Sequence, residues 1–269
     1  MNMGLEGRVA LVTGGANGLG KATSLKLASE GANVVIGDIS EKEANDLQRQ
    51  IAESFGKRSL AIRADVSSPN DVIAMVNEIR KEFGKLDILV ANAGTEQKAS
   101  PVVELKEEEW ERVMNVNAKG AFLCCKYAAK EMIRSGVKGK IVLVSSINSC
   151  RSGSPLYGAY AASKSAVIGL GSTLTVELAP HEINVNVICP GVIDTNMLRR
   201  IWETKSGKIK KTFHEIMESG INSVPLRRLG RPEDIANCIA FLVSNDADYI
   251  NGAVVDITGG LREVMGGRG

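Results

Sequence analysis

Short aliphatic runs alternate along this chain with longer stretches in which apolar residues recur every three or four positions. Residues 8–13 form the first run, and 33–37, 59–64, 86–91, 140–144, 183–189 and 253–257 repeat it. Near-continuous Val, Ile and Leu, without an alternating polar face, predicts strands buried on both sides, as in a parallel sheet. Helical periodicity follows Gly20 to about residue 30. It returns over 41–55, 69–83, 106–134, 157–178 and 232–244, with Pro69 near the start of its helix. Strand and helix alternate throughout, which predicts an α/β doubly wound fold with helices on both faces of the sheet. Residues 196–222 are polar and less regular, and are expected to be an insertion rather than a second domain. No Pro/Gly/Ser-rich linker or repeat divides the chain, so residues 1–269 are expected to form a single domain.

Composition narrows the function classes. A hydrophobic fraction of 44% and a charged fraction of 24% are ordinary for a globular protein. A net charge of +2 gives no field that calls for nucleic acid or a membrane surface, and 4% aromatics offer few base-stacking platforms. The five cysteines, Cys124, Cys125, Cys150, Cys189 and Cys238, form no CxxC pair and are odd in number, which fits a reduced, cytoplasmic chain. Strand-like sequence begins by Val9 with no apolar leader before it, and no run is long enough to span a bilayer. His181 and His214 have no partner ligands at metal spacing, so no catalytic metal is expected.

The first strand-to-helix turn is Gly14-Gly15-Ala16-Asn17-Gly18-Leu19-Gly20. Glycine lets backbone approach a phosphate closely, and a helix N-terminus stabilises its negative charge. The spacing Gly14-x3-Gly18-x-Gly20 departs from GxGxxG, so its position after a strand and before a helix carries the argument. Asp38 closes the second strand, where a carboxylate accepts hydrogen bonds from ribose hydroxyls and repels a 2′-phosphate. No Lys or Arg lies within 14–20 or directly after Asp38. NAD is therefore expected rather than NADP. A purely local role for Asp38, as cap of the helix near Glu41, is better filled by Ser40.

Tyr160-Ala161-Ala162-Ser163-Lys164 carries the chemistry. Four residues apart on a helix, Tyr160 and Lys164 share a face. A phenol ordinarily ionises near 10, and a neighbouring ammonium lowers that value, so Tyr160 is expected to act as a general base near neutral pH. Ser146 is placed to hold a substrate oxygen.

Thr13-Gly14-x3-Gly18-x-Gly20, Asn92-Ala93-Gly94, Ser146 with Tyr160-x3-Lys164, and Pro190-Gly191 occur in the order of the short-chain dehydrogenase/reductase family, which the chain resembles from about residue 5 to 260. The resemblance implies a Rossmann-type three-layer sandwich around seven parallel strands. Tyr160 would be the catalytic acid/base, Lys164 its partner and a ribose ligand, and Ser146 the residue orienting the substrate. Asn117 would support a proton-relay water. The implied cofactor-binding set is Thr13, Gly14, Asn17, Gly18, Leu19, Gly20, Asp38, Ile39, Asp65, Val66, Asn92, Ala93, Gly94, Tyr160, Lys164, Pro190, Gly191, Ile193 and Thr195. The gap from Ser146 to Tyr160 is one residue longer than usual, which makes Ser145 the second candidate. Ala91 stands where the family often has Asn.

The substrate end is polar. Glu96, Gln97, Ser149, Arg151 and Ser154 flank the site, Tyr157 is expected as a pocket wall, and Met197 and Trp202 either close over a ligand or form the insertion's own core. Arg199, Arg200, Lys205, Lys208, Lys210 and Lys211 make the insertion basic, as either an anion clamp or a solvated face. A polar wall suits a polyol, sugar or small secondary alcohol, or the matching ketone. The alternatives are a carbonyl reductase of the 3-oxoacyl-thioester type and, from another class, a nucleotide-sensing or interaction protein without turnover. The resemblance implies a homotetramer or homodimer, paired through helices 106–134 and 157–178.

Overall fold

A computed structural model describes residues 3–149, 155–206 and 212–266. Cys150, Arg151, Ser154, Lys208, Lys210 and Lys211, all singled out above, lie outside the described residues, as does the side chain of Lys205.

The chain runs β1 (Val9–Thr13), α1 (Gly18–Ser29), β2 (Asn33–Asp38), α2 (Glu41–Phe55), β3 (Ser59–Arg63), α3 (Pro69–Phe83) and β4 (Ile88–Ala91). It continues through α4 (Glu107–Met114), α5 (Gly120–Arg134), β5 (Lys140–Val144), α6 (Gly158–Leu178), β6 (Asn184–Pro190), α7 (Asn196–Ser206), α8 (Phe213–Ser223), α9 (Pro232–Leu242), β7 (Val254–Ile257) and α10 (Leu261–Gly266). The seven strands form one sheet in the order β3-β2-β1-β4-β5-β6-β7, and every pairing is parallel. β1, β4 and β5 are buried along their whole length, as their unbroken aliphatic sequences require. One apolar layer joins the sheet to α3, α5 and α6 through Met75, Ile79, Leu123, Met132 and Val167. The other joins it to α1, α2 and α9 through Leu27, Leu47, Ile51, Ile235 and Ile239.

Strand order reverses between β1 and β4. In sheets of this kind the crevice lies there, outside the carboxyl ends of the strands. Three local expectations are corrected. Residues 106–134 are not one regular helix: a π turn, Asn115–Lys119, separates α4 from α5. The 196–222 region holds two helices, α7 and α8, the second opened by a capping box between Thr212 and Glu215. The short α10, after Gly259 and Gly260, was not expected at all.

Candidate active site

The glycine turn is built from backbone. Gly14 and Gly18 hold φ of 60° and 52°, a left-handed conformation that favours glycine. A β-carbon at Gly20 would stand 2.0 Å from the Gly14 carbonyl oxygen. Asn92, at the end of β4, ties this turn to the next strand: its Nδ2 donates to the carbonyls of Thr13 (2.9 Å) and Gly14 (3.0 Å). The Thr13 hydroxyl in return accepts from the backbone N–H of Asn92 and Ala93. The result is a side-chain-free concavity at the N-terminus of α1, suited to a pyrophosphate. Thr195, from the β6 side, reaches over Gly18, with its methyl 3.7 Å from where a β-carbon would lie.

Asp38 is 8% exposed, and its carboxylate is fixed. Oδ2 accepts from the Ala16 N–H at 3.0 Å and Oδ1 from the Ser40 N–H at 3.0 Å. A carboxylate offers about four acceptor positions, so two bonds leave capacity for hydroxyl donors. Ser40 stands at the N-cap of α2, but its hydroxyl makes no cap bond. Ile39 is exposed beside Asp38. Asp65 Oδ1 accepts from the Ser67 N–H and hydroxyl, which fixes the turn after β3, and Val66 packs where a β-carbon on Gly120 would clash. Ile193 is buried and pairs with Gly230, while Pro190 accepts at its carbonyl from the Ile147 N–H.

The catalytic candidates converge on the same edge. Ser146 acts on the Tyr160 phenol, and its Oγ accepts from the Asn148 N–H at 3.1 Å. Ser145 is committed elsewhere, donating to the Lys164 carbonyl at 2.7 Å, which leaves Ser146 as the serine at the phenol. Lys164 Nζ donates to the Val144 carbonyl at 2.9 Å and stands 5.9 Å from the Tyr160 ring centroid. A β-carbon on Gly94, just past β4, would be 3.3 Å from both Lys164 Nζ and Asn117 Oδ1, so a side chain there would press on both groups.

The electrostatics correct one expectation. Burial pushes the Tyr160 phenol above its usual value; Ser146 pulls it part of the way back, and the Glu96 carboxylate pushes it further up. Burial also lowers Lys164 to about 8, with the Cys189 thiol opposing. Burial is thus the largest influence on both groups, and it acts on each against its charged form.

Asn117 lies in the π turn, and its side chain is bonded at both its oxygen and its nitrogen. Oδ1 accepts from the Thr95 N–H (2.8 Å), and Nδ2 donates to the Thr95 carbonyl (3.1 Å) and the Ser163 hydroxyl (3.0 Å). Ser163, which sequence reasoning did not single out, donates onward to the Tyr160 carbonyl at 2.7 Å. Arg112 was missed as well. It braces the β4–α4 loop by donating to the Thr95 hydroxyl and the Glu96 carbonyl, and its pairing with Glu109 holds that carboxyl down at about 2.

Glu96 faces α7, where Arg200 pairs with it at 3.3 Å. Gln97 is buried and serves the main chain around α6 rather than an open wall. Tyr157 is half-buried at the N-terminus of α6 and bridges to Ser100. Ser149 is buried, and among the described residues its hydroxyl has no hydrogen-bond partner. Met197 is partly buried on α7. Trp202 packs edge-on to Phe213 at 6.4 Å and fills the space a β-carbon on Gly220 would need, so it belongs to the small core between α7 and α8. Among the described residues, no group of three or more His, Cys, Asp or Glu is arranged to hold a metal ion, and no helix is long and apolar enough to cross a membrane.

Comparison with known proteins agrees with this geometry. A family model described as enoyl-(acyl carrier protein) reductase matches residues 14–262. The chain is 38% identical to a 3-oxoacyl-(acyl-carrier-protein) reductase of Thermotoga maritima, over 96% of this chain and 99% of that one. Among solved structures it is similar to an NAD+-bound xylitol dehydrogenase (TM-score 0.90, 32% identity, 95% of this chain and 99% of that one). It is also similar to L-sorbose reductase from Gluconobacter frateurii complexed with NADPH and L-sorbose (TM-score 0.91, 30% identity, 98% and 99%). The chain thus belongs to the short-chain dehydrogenase/reductase family and is an oxidoreductase acting on CH–OH groups.

Proposed function

We propose that this enzyme transfers a hydride between NAD and a polyol, sugar or small secondary alcohol, with Tyr160 as the acid/base. The observation that carries the cofactor choice is Asp38. Its carboxylate is anchored by two backbone N–H groups at the end of β2, where it would accept ribose hydroxyls and repel a 2′-phosphate. The glycine concavity, Asp65, Val66, Asn92, Ala93, Ile193 and Thr195 would hold the rest of the dinucleotide.

The nicotinamide supplies the hydride acceptor for oxidation and the donor for reduction. Ser146 orients the substrate oxygen, and Tyr160 takes the hydroxyl proton in oxidation or returns it in reduction. A phenol held above its usual value is a poor base on its own. Lys164, still largely protonated at neutral pH, favours the phenolate once bound ligands expel water and strengthen charge interactions around it. Both Asn117 side-chain hydrogens are committed, so a relay water there would donate, either to the remaining acceptor position of Oδ1 or to main-chain carbonyls of the π turn.

Glu96, a carboxylate that acts on the Tyr160 phenol, supports a hydroxylated substrate, and two of the similar structures are named for a polyol and a sugar. The second reading is reduction of 3-oxoacyl thioesters, which the Thermotoga maritima relative favours. For assembly, exposed Phe122 on α5 and Val176 on α6 mark a face for pairing copies of the chain.

The test is NADH formation at mildly alkaline pH across polyols, sugars, sugar phosphates and secondary alcohols, with NADP run in parallel. The expected result is turnover with NAD and a polyol or sugar, and a relaxed NAD preference in Asp38→Ala. Silence with every alcohol but oxidation of NADPH by 3-oxoacyl thioesters would establish the second reading instead.

A further inference from the structure

The catalytic helix begins without a cap of its own. The first four N–H groups of any helix lack intrahelical partners, and a Ser, Thr, Asp or Asn at the N-cap usually satisfies one. Here the N-cap is Tyr157, which makes no side-chain cap bond. The residue before it, Leu156, sits at φ of 72°, a left-handed conformation that costs a non-glycine residue energy unless its surroundings hold it.

Gln97, far away in sequence on the β4–α4 loop, bonds to both places. Its Oε1 accepts from the Tyr160 N–H at 3.1 Å, and its Nε2 donates to the Leu156 carbonyl at 2.9 Å. The partners fix the amide orientation, since an N–H can only donate and a carbonyl can only accept. The side chain is 2% exposed, so these bonds form away from competing water. From the other side, Ser163 donates to the Tyr160 carbonyl and is itself held by Asn117. Both backbone polar groups of Tyr160 are thus tied, through Gln97 and through Asn117 with Ser163, to one loop. That loop is fixed by Arg112 and leads out of β4 past Gly94, beside Lys164.

We propose that Gln97 is a positioning residue for the reaction. Its side-chain amide caps α6 from the β4–α4 loop and sets the reach of the Tyr160 hydroxyl toward Ser146 and the substrate oxygen. The inference rests on Tyr160 being the acid/base. Gln97 touches no reacting atom, so its loss should lower kcat with little change in cofactor affinity. Small misplacements of a reacting group cost up to about 100-fold in rate.

The experiment compares the full-length wild type with Gln97→Leu, Gln97→Glu and Tyr160→Phe. It measures kcat, KM, NADH affinity by fluorescence, thermal midpoint, and the Tyr160 phenol titration by ultraviolet difference against Tyr160→Phe. Gln97→Leu removes both bonds in a side chain of similar size. Gln97→Glu keeps an acceptor for the Tyr160 N–H and loses the donor to Leu156. The expected result is a drop in kcat of about 10- to 100-fold in Gln97→Leu, a shifted phenol titration, NADH affinity within about twofold of wild type, and recovery of most of the loss in Gln97→Glu. Wild-type kcat and titration in Gln97→Leu would overturn the proposal. So would equal losses in both Gln97 variants that track their thermal midpoints. Turnover that persists in Tyr160→Phe would remove the reading of Tyr160 itself, and is seen separately from the Gln97 results.

Discussion

At the scale of single residues, the proposed role of Tyr160 makes the balance of charge around its phenol the expected source of the enzyme's pH dependence. Burial holds the phenol high, Ser146 lowers it, and Glu96 raises it. Replacing Glu96 by Gln removes a negative charge that opposes the phenolate, so the acid limb of alcohol oxidation should move to lower pH in Glu96→Gln. Ser146→Ala should move it to higher pH and lower kcat as well. A kcat profile in which both variants shift the same way would contradict this balance. Lys164 gives a second, independent sign. An unfolded lysine titrates near 10.4, whereas the folded value is about 8. Between those values the unfolded chain binds a proton that the folded chain does not, so folding stability gains as pH rises through that window. The thermal midpoint of the cofactor-free wild type should therefore rise relative to Lys164→Met between about pH 8 and pH 10. Ser146, Tyr160, Lys164 and Asp38 stand out in the sequence because each falls in a short local motif. The direction of the Tyr160 shift does not, because desolvation depends on everything packed around the ring.

At the scale of elements, the strands and most helices were legible because a fully buried parallel strand leaves an unbroken aliphatic signature. The π turn at Asn115–Lys119 was not, since one extra residue in a helix hardly disturbs its apolar period. The α7–α8 pair looked irregular because its apolar residues face each other in a small local core, Trp202 against Phe213 and Gly220, rather than the main sheet. Gln97 gave a usable sign: a helix whose N-cap is tyrosine needs a cap from elsewhere. The glycine turn gives the sharpest prediction at this scale. A β-carbon at Gly20 would meet backbone at 2.0 Å and Asn92 Nδ2 at 2.8 Å, neither of which can move without opening the turn. Gly20→Ala should abolish measurable NADH binding by fluorescence titration, and retained binding would show that the cofactor does not use this concavity.

At the scale of the whole molecule, the sheet order brings residues from β1, β2, β4, β5 and β6 to one carboxyl-end edge, so the proposed cofactor site and acid/base meet without any one segment containing both. The outer faces of α5 and α6 leave Phe122 44% and Val176 75% exposed. If copies pair there, Val176→Glu should reduce the mass observed by light scattering relative to wild type, and an unchanged mass would place any assembly elsewhere. The proposal that Tyr160 carries the proton in a hydride transfer to NAD is tested most directly by kcat/KM for NADH formation with the preferred alcohol in wild type and Tyr160→Phe. Phenylalanine keeps the ring and removes only the hydroxyl. A positioned acid/base contributes about 100- to 10,000-fold, so a loss of that size with NADH binding intact is expected. Activity within a few-fold of wild type would rule out Tyr160 as the acid/base.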